Sequence, residues 1–287
     1  MPDSDLLTQD LFTWKLTVAY DGTEFRGWQI QPGEPTIQGE LQGALGRVTG
    51  EAPLPQGSGR TDAGVHALAQ VASFGLHAPI PSDNLQHALN RTLPSSIRIL
   101  DARRMSSDFH ARHSATAKTY EYRVWVAESD RNDICSPFLA RYVFAIPWPL
   151  DLSKLDAAAQ NFVGDHDFLS FAASDPDLTT RNLNLSEERP IDPDDMPSSI
   201  RTIFSSTWDK RATENGALLI YRVRGNGFLH HMVRNIVGTM LDVGRGHLEA
   251  DVIPAIFMAR KRSAAGPTAP ARGLFLHSVE YDAANLR

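Results

Sequence analysis

The stretch GSGRTDAGVHALAQVASF (57–74) decides the fold of the first half of the chain. Its glycines allow tight backbone conformations, and residues 65–74 are again rich in β-forming side chains. A short strand is predicted near 53–58, so the glycine-rich part is a turn between two strands. Arg60 and Asp62 lie two residues apart in this turn, which in an extended segment places both side chains on one face.

The turn has an ordinary interpretation as well as a functional one. A surface turn with an Arg–Asp ion pair would contribute at most about 1 kcal/mol to stability. A phosphate-binding P-loop is excluded because no Gly-Lys-Ser/Thr follows, and a Rossmann fingerprint is excluded because the glycines open a strand rather than a helix. The pattern by itself leaves a plain turn and a functional loop both open.

The elements on either side of the turn predict a compact α/β unit. KLTVAYD (15–21) alternates apolar and polar residues, as a strand does. Thr36 is a suitable N-cap for a helix over 36–49, and Ser82 is predicted to cap a second helix. IRILDA (97–102) closes the unit as a strand. The order is β-α-β-β-α-β, which is typical of the ferredoxin-like or split βαβ unit.

The second half is predicted to repeat that order without repeating the sequence. Strands are predicted at 119–126, 201–209, 217–225 and 274–282, and helices from Asp151 to Gly164, at 229–243 and at about 251–260. We therefore expect an α+β fold of two ferredoxin-like halves joined near 110–116. The predicted domains are 11–113, with the Asp62 segment, and 114–287. A cleft between two such halves is where a large ligand would lie.

Composition limits the class of protein. The chain has 287 residues, of which 42% are apolar and 22% are charged, as in globular proteins. A single cysteine, Cys135, excludes an intramolecular disulfide and a CxxC zinc site, and fits a reducing cytoplasm. We expect no signal peptide in the acidic residues 1–12. No apolar run approaches the roughly 20 residues of a membrane span.

The overall charge gives little information about a nucleic-acid partner. The net charge is −6, whereas RNA-binding proteins usually carry positive charge. Acids and prolines are concentrated in RNLNLSEERPIDPDDMP (181–197), which is predicted to be an exposed loop. Without this acidic loop the remaining chain is closer to neutral. Composition therefore neither supports nor excludes RNA.

Several segments together resemble one family. GRTDAGVHA, followed by Gln70-Val71-Ala72, is similar to the active-site segment of the tRNA pseudouridine synthase A (TruA) family. The similarity continues through YDGTEFRGWQ (20–29), FHARHSATAKTYEYRV (109–124), GDHDFLSF (164–171), NGFLHHMVRNIVGTML (226–241) and APARGLFL (269–276). These segments occur in the family's order from about residue 14 to 282.

The resemblance implies a role for each matching residue. Asp62 would be the catalytic aspartate, and Arg60 would help to keep open the place of the flipped-out base. Tyr120 would stack on the target uracil, Arg234 would pair with Asp62, and Leu274 would line the pocket.

The resemblance also implies the partners and the reaction. It implies the pseudouridine synthase fold with a central antiparallel sheet, a cytoplasmic homodimer, no cofactor and no metal. The substrate would be uridine 38, 39 or 40 in the anticodon arm of tRNA.

The chemistry of pseudouridine formation explains these residue types. The N1–C1′ bond breaks, the uracil turns, and its C5 joins C1′. A carboxylate can attack C1′ or take a proton to open a glycal route, and the sequence does not choose between the two. If Arg234 lies about 4 Å from Asp62, their attraction is roughly 4 kcal/mol, which keeps the carboxylate ionised. Stacking on Tyr120 would contribute about 1–3 kcal/mol per base.

A base that is stacked inside RNA must be flipped out, and contacts with phosphates can offset the cost. The candidates for these contacts are Arg26, Arg112, Lys118, Arg222 and Arg224. For each of them alone, a solvated surface charge is the alternative. Arg234 is off the apolar stripe of its helix, so an exposed helical arginine is its alternative.

Other functions have weaker support. His110 and His113, and likewise His230 and His231, lack the nearby acids or thiolates of a metal site, so no metal is predicted. A non-catalytic RNA-binding module would be expected to have lost Asp62. A magnesium-dependent phosphate enzyme would need a second acid near Asp62, and none is evident.

Overall fold

The computed structural model describes residues 10–127, 134–173, 198–213 and 216–282. The acidic loop predicted at 181–197 lies outside these residues. Of the described residues, those up to Lys118 and from Phe275 onward form one compact unit, and Thr119–Leu274 form a second.

The first unit has the predicted order β-α-β-β-α-β. Its elements are β1 (Phe12–Tyr20), α1 (Ile37–Thr49), β2 (Gln56–Gly57), β3 (His66–Leu76), α2 (Ser82–Thr92), β4 (Ile97–Met105), the first residues of β5 (Ala115–Val126) and most of β10 (Leu274–Tyr281). β1 lies between β3 and β4 and is antiparallel to both. β2 pairs antiparallel with β3, whereas β10 runs parallel to β3.

Local sequence explains why these elements form. Trp14, Leu16 and Val18 alternate along β1 and are fully buried, as expected for a strand with one face on the core. The Thr36 hydroxyl accepts a hydrogen bond from the Gly39 backbone N–H at the start of α1. The predicted cap at Thr36 is therefore confirmed.

The second unit contains more elements than predicted. They are the rest of β5, α3 (Pro137–Ala140), β6 (Phe144–Ile146), α4 (Leu152–Gln160), β7 (Gly164–Asp167), β8 (Ile200–Thr213), β9 (Gly216–Gly225), α5 (Met232–Gly244) and α6 (Val252–Ala259). The strand order is β5-β9-β8-β7, and β6 pairs parallel with β5. Since β6 and β7 are only three and four residues long, they show no alternation that the sequence analysis could detect.

Both units combine helices with mostly antiparallel strands, so the predicted α+β class is confirmed. Asp151 caps α4 as predicted, because its carboxylate accepts from the Ser153 and Lys154 backbone N–H groups. Ser82 does not cap α2; it is the first helical residue, and Pro81 occupies the cap position. None of the helices in the described ranges is long and apolar enough to cross a membrane.

Arg234 lies off the apolar stripe of its helix as predicted, but the helix is buried on more sides than that stripe predicts. α5 begins at Met232, three residues later than predicted. Every residue of α5 except Arg234 and Asp242 is buried. Two polar residues, Asn235 and Thr239, are fully buried because they form internal hydrogen bonds. α5 is therefore a core helix covered on several sides, and not an amphipathic surface helix.

Candidate active site

The backbone of the Asp62 segment is held by a neighbouring loop of the first unit. The backbone N–H of Trp28 donates to the carbonyl of Thr61 (3.0 Å), and the N–H of Gly64 donates to the carbonyl of Phe25 (3.2 Å). These bonds lie immediately before and two residues after Asp62. The position of the Asp62 backbone is thus set by the loop that follows β1.

Two glycines of that loop permit the close approach. Gly27 has φ +94°, and a Cβ there would lie 2.6 Å from the Thr61 carbonyl oxygen and 3.1 Å from the Asp62 carbonyl carbon. A Cβ on Gly22 would lie 1.9 Å from the Val65 carbonyl oxygen. Any side chain at either position would displace the Asp62 segment.

A buried polar network lies under the segment, and the sequence analysis missed it. Tyr20 Oη and Thr61 Oγ1 are 2.8 Å apart. The Ser58 hydroxyl donates to Gln70 Oε1 (2.6 Å), and Gln70 Nε2 donates to the Gly59 carbonyl (2.8 Å). Burial raises the pKa of Tyr20 to about 12, although hydrogen bonds with Thr61 and Gln70 oppose the rise. Tyr20 is therefore a neutral phenol near pH 7.

Arg60 and Asp62 lie in the irregular segment between β2 and β3, and not in the extended segment on which the expectation of a shared face rested. No strand forms between β2 and β3, so the alternation of side chains along a strand does not apply there. Arg60 is exposed and Asp62 is half-buried. The one signal for the missed network was a glutamine, Gln70, within an otherwise apolar strand.

In the second unit, Tyr120 lies on β5 and is almost fully buried. The ring of Phe228 packs against it edge-on, with 4.9 Å between centroids and 77° between the planes. Because it supports the Tyr120 ring, Phe228 restricts the orientation of the phenol.

Arg234 is fixed by an extended segment, 265–270, which we call the strap. Arg234 Nε donates to the Ala269 carbonyl (2.8 Å), and the Ala269 N–H donates back to the Arg234 carbonyl (3.1 Å). A Cβ on Gly238 would lie 1.6 Å from the Pro267 carbonyl oxygen, so only glycine allows the strap to approach α5 this closely. Arg234 is half-buried and has a defined direction.

Buried polar groups attach the strap to α5. Asn235 Oδ1 accepts from the Thr268 hydroxyl (2.7 Å) and from Arg262 Nη2 (3.0 Å), and the Thr239 hydroxyl accepts from the Gly266 N–H (2.9 Å). Every one of these contacts joins residues at least 27 positions apart in sequence. Sequence reasoning from local patterns could not have found them.

The strap also connects Arg234 with β5 and β10. The Tyr122 hydroxyl donates to the Pro270 carbonyl (2.7 Å), next to the residue that holds Arg234. Burial raises the pKa of Tyr122, against the opposing effects of Arg234 and Arg272. Leu274 follows the strap by four residues, begins β10 and is buried.

Three of the predicted RNA-contacting cations lie in the first unit. Arg26 is exposed and pairs with Glu34 (3.1 Å). Arg112 is exposed, and its backbone N–H donates to His110 Nδ1 (3.0 Å). Lys118 is half-buried. An exposed ion pair such as Arg26–Glu34 is easily exchanged for another anion.

The other two predicted cations lie on β9. Arg222 forms ion pairs with Glu121 (2.8 Å) and with Asp209 (2.8 Å). The Arg222 guanidinium therefore balances the charge of two carboxylates of the protein, of which Glu121 is buried. The guanidinium carbon of Arg224 lies 4.9 Å from the centroid of the Phe204 ring.

Comparisons with known proteins assign the chain to a family. A family model described as tRNA pseudouridine synthase matches residues 16–114 and 158–282. tRNA pseudouridine synthase A of Solibacter usitatus (strain Ellin6076) is 49% identical over 93% of this chain and 98% of its own length. The proteins of the same name from Moorella thermoacetica and Bacillus pumilus are 41% and 40% identical, each over 93% of this chain and 98% of its own length.

The family model covers the Asp62 segment, α5 and the strap, and the Solibacter usitatus protein matches over 93% of the chain. The chain therefore belongs to the tRNA pseudouridine synthase family, a family of isomerases.

Proposed function

We propose that this protein isomerises uridine to pseudouridine at positions 38–40 of the tRNA anticodon stem-loop. The observation that carries the proposal is family membership over most of the chain, combined with an aspartate on a rigidly held loop. A substrate bond can be broken at a defined carbon only if the attacking group is held in place. The backbone contacts on either side of Asp62 support the proposal, because they hold the segment that carries the carboxylate.

Asp62 is the proposed nucleophile or base that acts on the flipped-out uridine. The N1–C1′ bond breaks and the C5–C1′ bond forms. C5 loses its proton and N1 gains one, so atoms and electrons balance without an oxidant or reductant. Attack on C1′ and the glycal route both use an ionised carboxylate. Arg60 and Arg234 are proposed to act with it, Arg60 at the place of the base and Arg234 as the charge partner of Asp62.

Tyr120 and Leu274 are the proposed binding residues for the uracil. A phenol ring stacks on a base without fixing which ring atom faces the ribose. The detached uracil can then turn while it remains bound. The edge-on contact with Phe228 supports this role, because it holds the stacking surface at one angle.

Arg26, Arg112, Lys118, Arg222 and Arg224 are the proposed contacts with RNA phosphates. Arg222 is the weakest candidate, because Glu121 and Asp209 already occupy its guanidinium. The acidic loop 181–197 is proposed to influence which tRNAs are accepted.

The remaining proposals concern organisation. We propose domains 11–113 and 114–287 as two ferredoxin-like halves, and a cytoplasmic homodimer that needs no metal or cofactor. The order of elements and of strands in the first unit supports the ferredoxin-like assignment for that half.

Mapping of the modified positions tests the proposed substrate. Unmodified tRNA transcripts with uridine at 38, 39 or 40, and matched transcripts with cytidine at those positions, are incubated with the protein. Pseudouridine is expected only at uridines of the anticodon arm. Pseudouridine elsewhere in the tRNA would contradict the site, and RNA binding without any pseudouridine would favour the non-catalytic alternative.

A further inference from the structure

The network beneath the Asp62 segment uses the polar atoms of one glutamine almost completely. Gln70 is fully buried on β3. Its Oε1 accepts from the Ser58 hydroxyl (2.6 Å) and from the Val71 N–H (3.1 Å), and its Nε2 donates to the Gly59 carbonyl (2.8 Å). A buried amide without partners would be costly, so these bonds stabilise a single position of residues 58–59.

A second side chain fixes the segment on the other side of Arg60. Tyr20, the last residue of β1, is buried, and its hydroxyl is 2.8 Å from Thr61 Oγ1. Thr61 is itself buried and directly precedes Asp62. The contacts from Gln70 and Tyr20 therefore lie within four residues of Asp62.

Both side chains belong to the rigid part of the unit. β1 and β3 are paired along almost their whole length, from Phe12–Leu76 to Tyr20–Ala67. A side chain on two paired strands moves little, and a loop that is hydrogen-bonded to it is therefore also restricted in its movement. In the same sheet, the Ser73 hydroxyl accepts from the backbone N–H of Ala111 and so holds the segment around Ala111 instead of the Asp62 segment.

We infer that Gln70 and Tyr20 are positioning residues that hold the Asp62 carboxylate at the reacting carbon of the uridine. This inference rests on the proposed function of Asp62. Neither residue touches the substrate; each acts through its hydrogen bonds to residues 58–61. Loss of either therefore lowers the rate of the chemical step and leaves tRNA binding intact.

The first test compares two buried tyrosines, one in contact with the Asp62 segment and one in the second unit. Tyr20→Phe removes the hydroxyl next to Thr61, and Tyr221→Phe removes a buried hydroxyl that lies 2.8 Å from Ser206 Oγ in the second unit. Both variants lose a buried, hydrogen-bonded phenol hydroxyl. We expect kcat to fall about threefold to tenfold in Tyr20→Phe, with KM for tRNA unchanged, and to stay unchanged in Tyr221→Phe.

The second test makes the same comparison on β3. Gln70→Met removes all three hydrogen bonds at similar volume, and Ser73→Ala removes a buried hydrogen bond three residues away. We expect kcat to fall about 10- to 100-fold in Gln70→Met and not in Ser73→Ala. Thermal unfolding of all four variants shows whether each is folded, and Tyr20→Phe decides the question if Gln70→Met is not.

The outcomes separate this inference from the proposed function. Asp62→Ala in the same assay tests the proposed function. An active Asp62→Ala protein would contradict the catalytic role of Asp62. If Asp62→Ala is inactive while Tyr20→Phe keeps the wild-type kcat, the aspartate is catalytic and the positioning inference is wrong. A kcat that falls equally in Tyr20→Phe and Tyr221→Phe would also overturn it, because the effect would then be one of general stability.

Discussion

The contact between Gly27 and the Asp62 segment leads to a quantitative prediction for Gly27→Ala. The new Cβ would meet the Thr61 carbonyl oxygen at 2.6 Å, whereas ordinary van der Waals contact begins near 3.4 Å. The loop must therefore move by about 0.8 Å, and a misplacement of about 1 Å costs on the order of 10²-fold in rate. We expect kcat to fall roughly 10- to 100-fold.

The same substitution also affects stability. A backbone with φ +94° is unfavourable for alanine by about 1–2 kcal/mol, and overpacking adds about 1–3 kcal/mol. Gly33→Ala is the matched control, since Gly33 has φ +75° but no atom within 4 Å of the added Cβ. It should lose only the backbone contribution to stability and keep the wild-type kcat.

The assay is the release of tritium from tRNA labelled at uridine C5, because C5 loses its hydrogen when it bonds to C1′. Urea unfolding of both variants gives the free energy of unfolding. Equal kcat values for Gly27→Ala and Gly33→Ala would refute the reasoning, since they would show that the position of the Asp62 segment does not limit the reaction.

Three further predictions follow from other contacts. Burial raises the pKa of Glu121, but hydrogen bonds and attraction from Arg123 and Arg222 outweigh burial, so its pKa is lowered in the folded protein. Its contribution to stability is therefore present above the unfolded pKa of about 4.5 and is lost as pH falls through the lower folded value. Glu121→Gln should cost about 1–3 kcal/mol at pH 7 and flatten the acid side of the stability curve, measured by urea unfolding at several pH values; an unchanged acid limb would contradict this. Tyr120→Phe should bind tRNA normally and turn over about tenfold more slowly if its hydroxyl assists proton transfer from C5; unchanged turnover in the tritium assay would remove that role. Gly238→Ala should destabilise the protein by about 3 kcal/mol or more, because the strap must leave α5, and a melting temperature equal to wild type would show that the strap is not fixed there.

Sequence reasoning was most successful where the causes are local. The helix capped by Thr36 ends at Gly50, which adopts φ 78°, and both ends follow from residues within the helix or next to it. The alternation along β1 likewise comes from adjacent residues. Such features depend only on backbone geometry and on one buried face.

The features that were missed depend on partners far away in sequence. The apolar stripe predicted for α5 left out Asn235 and Thr239, yet both are buried and form hydrogen bonds with residues 27 to 64 positions away. Gln70 was named only within the segment that resembles the family, since nothing nearby in sequence indicates its contacts with Ser58 and Gly59. Short strands such as β6 depend on pairing with a neighbour and have no periodicity of their own.

The catalytic role of Asp62 is tested most directly by comparing wild-type protein with Asp62→Ala and Asp62→Asn. Each is incubated with an unmodified tRNA transcript in the presence of a chelator and without added cofactor. We expect both variants to bind the transcript within a few-fold of wild type and to form pseudouridine at least about 10³-fold more slowly. Pseudouridine formation by Asp62→Ala at a rate close to wild type would contradict the account.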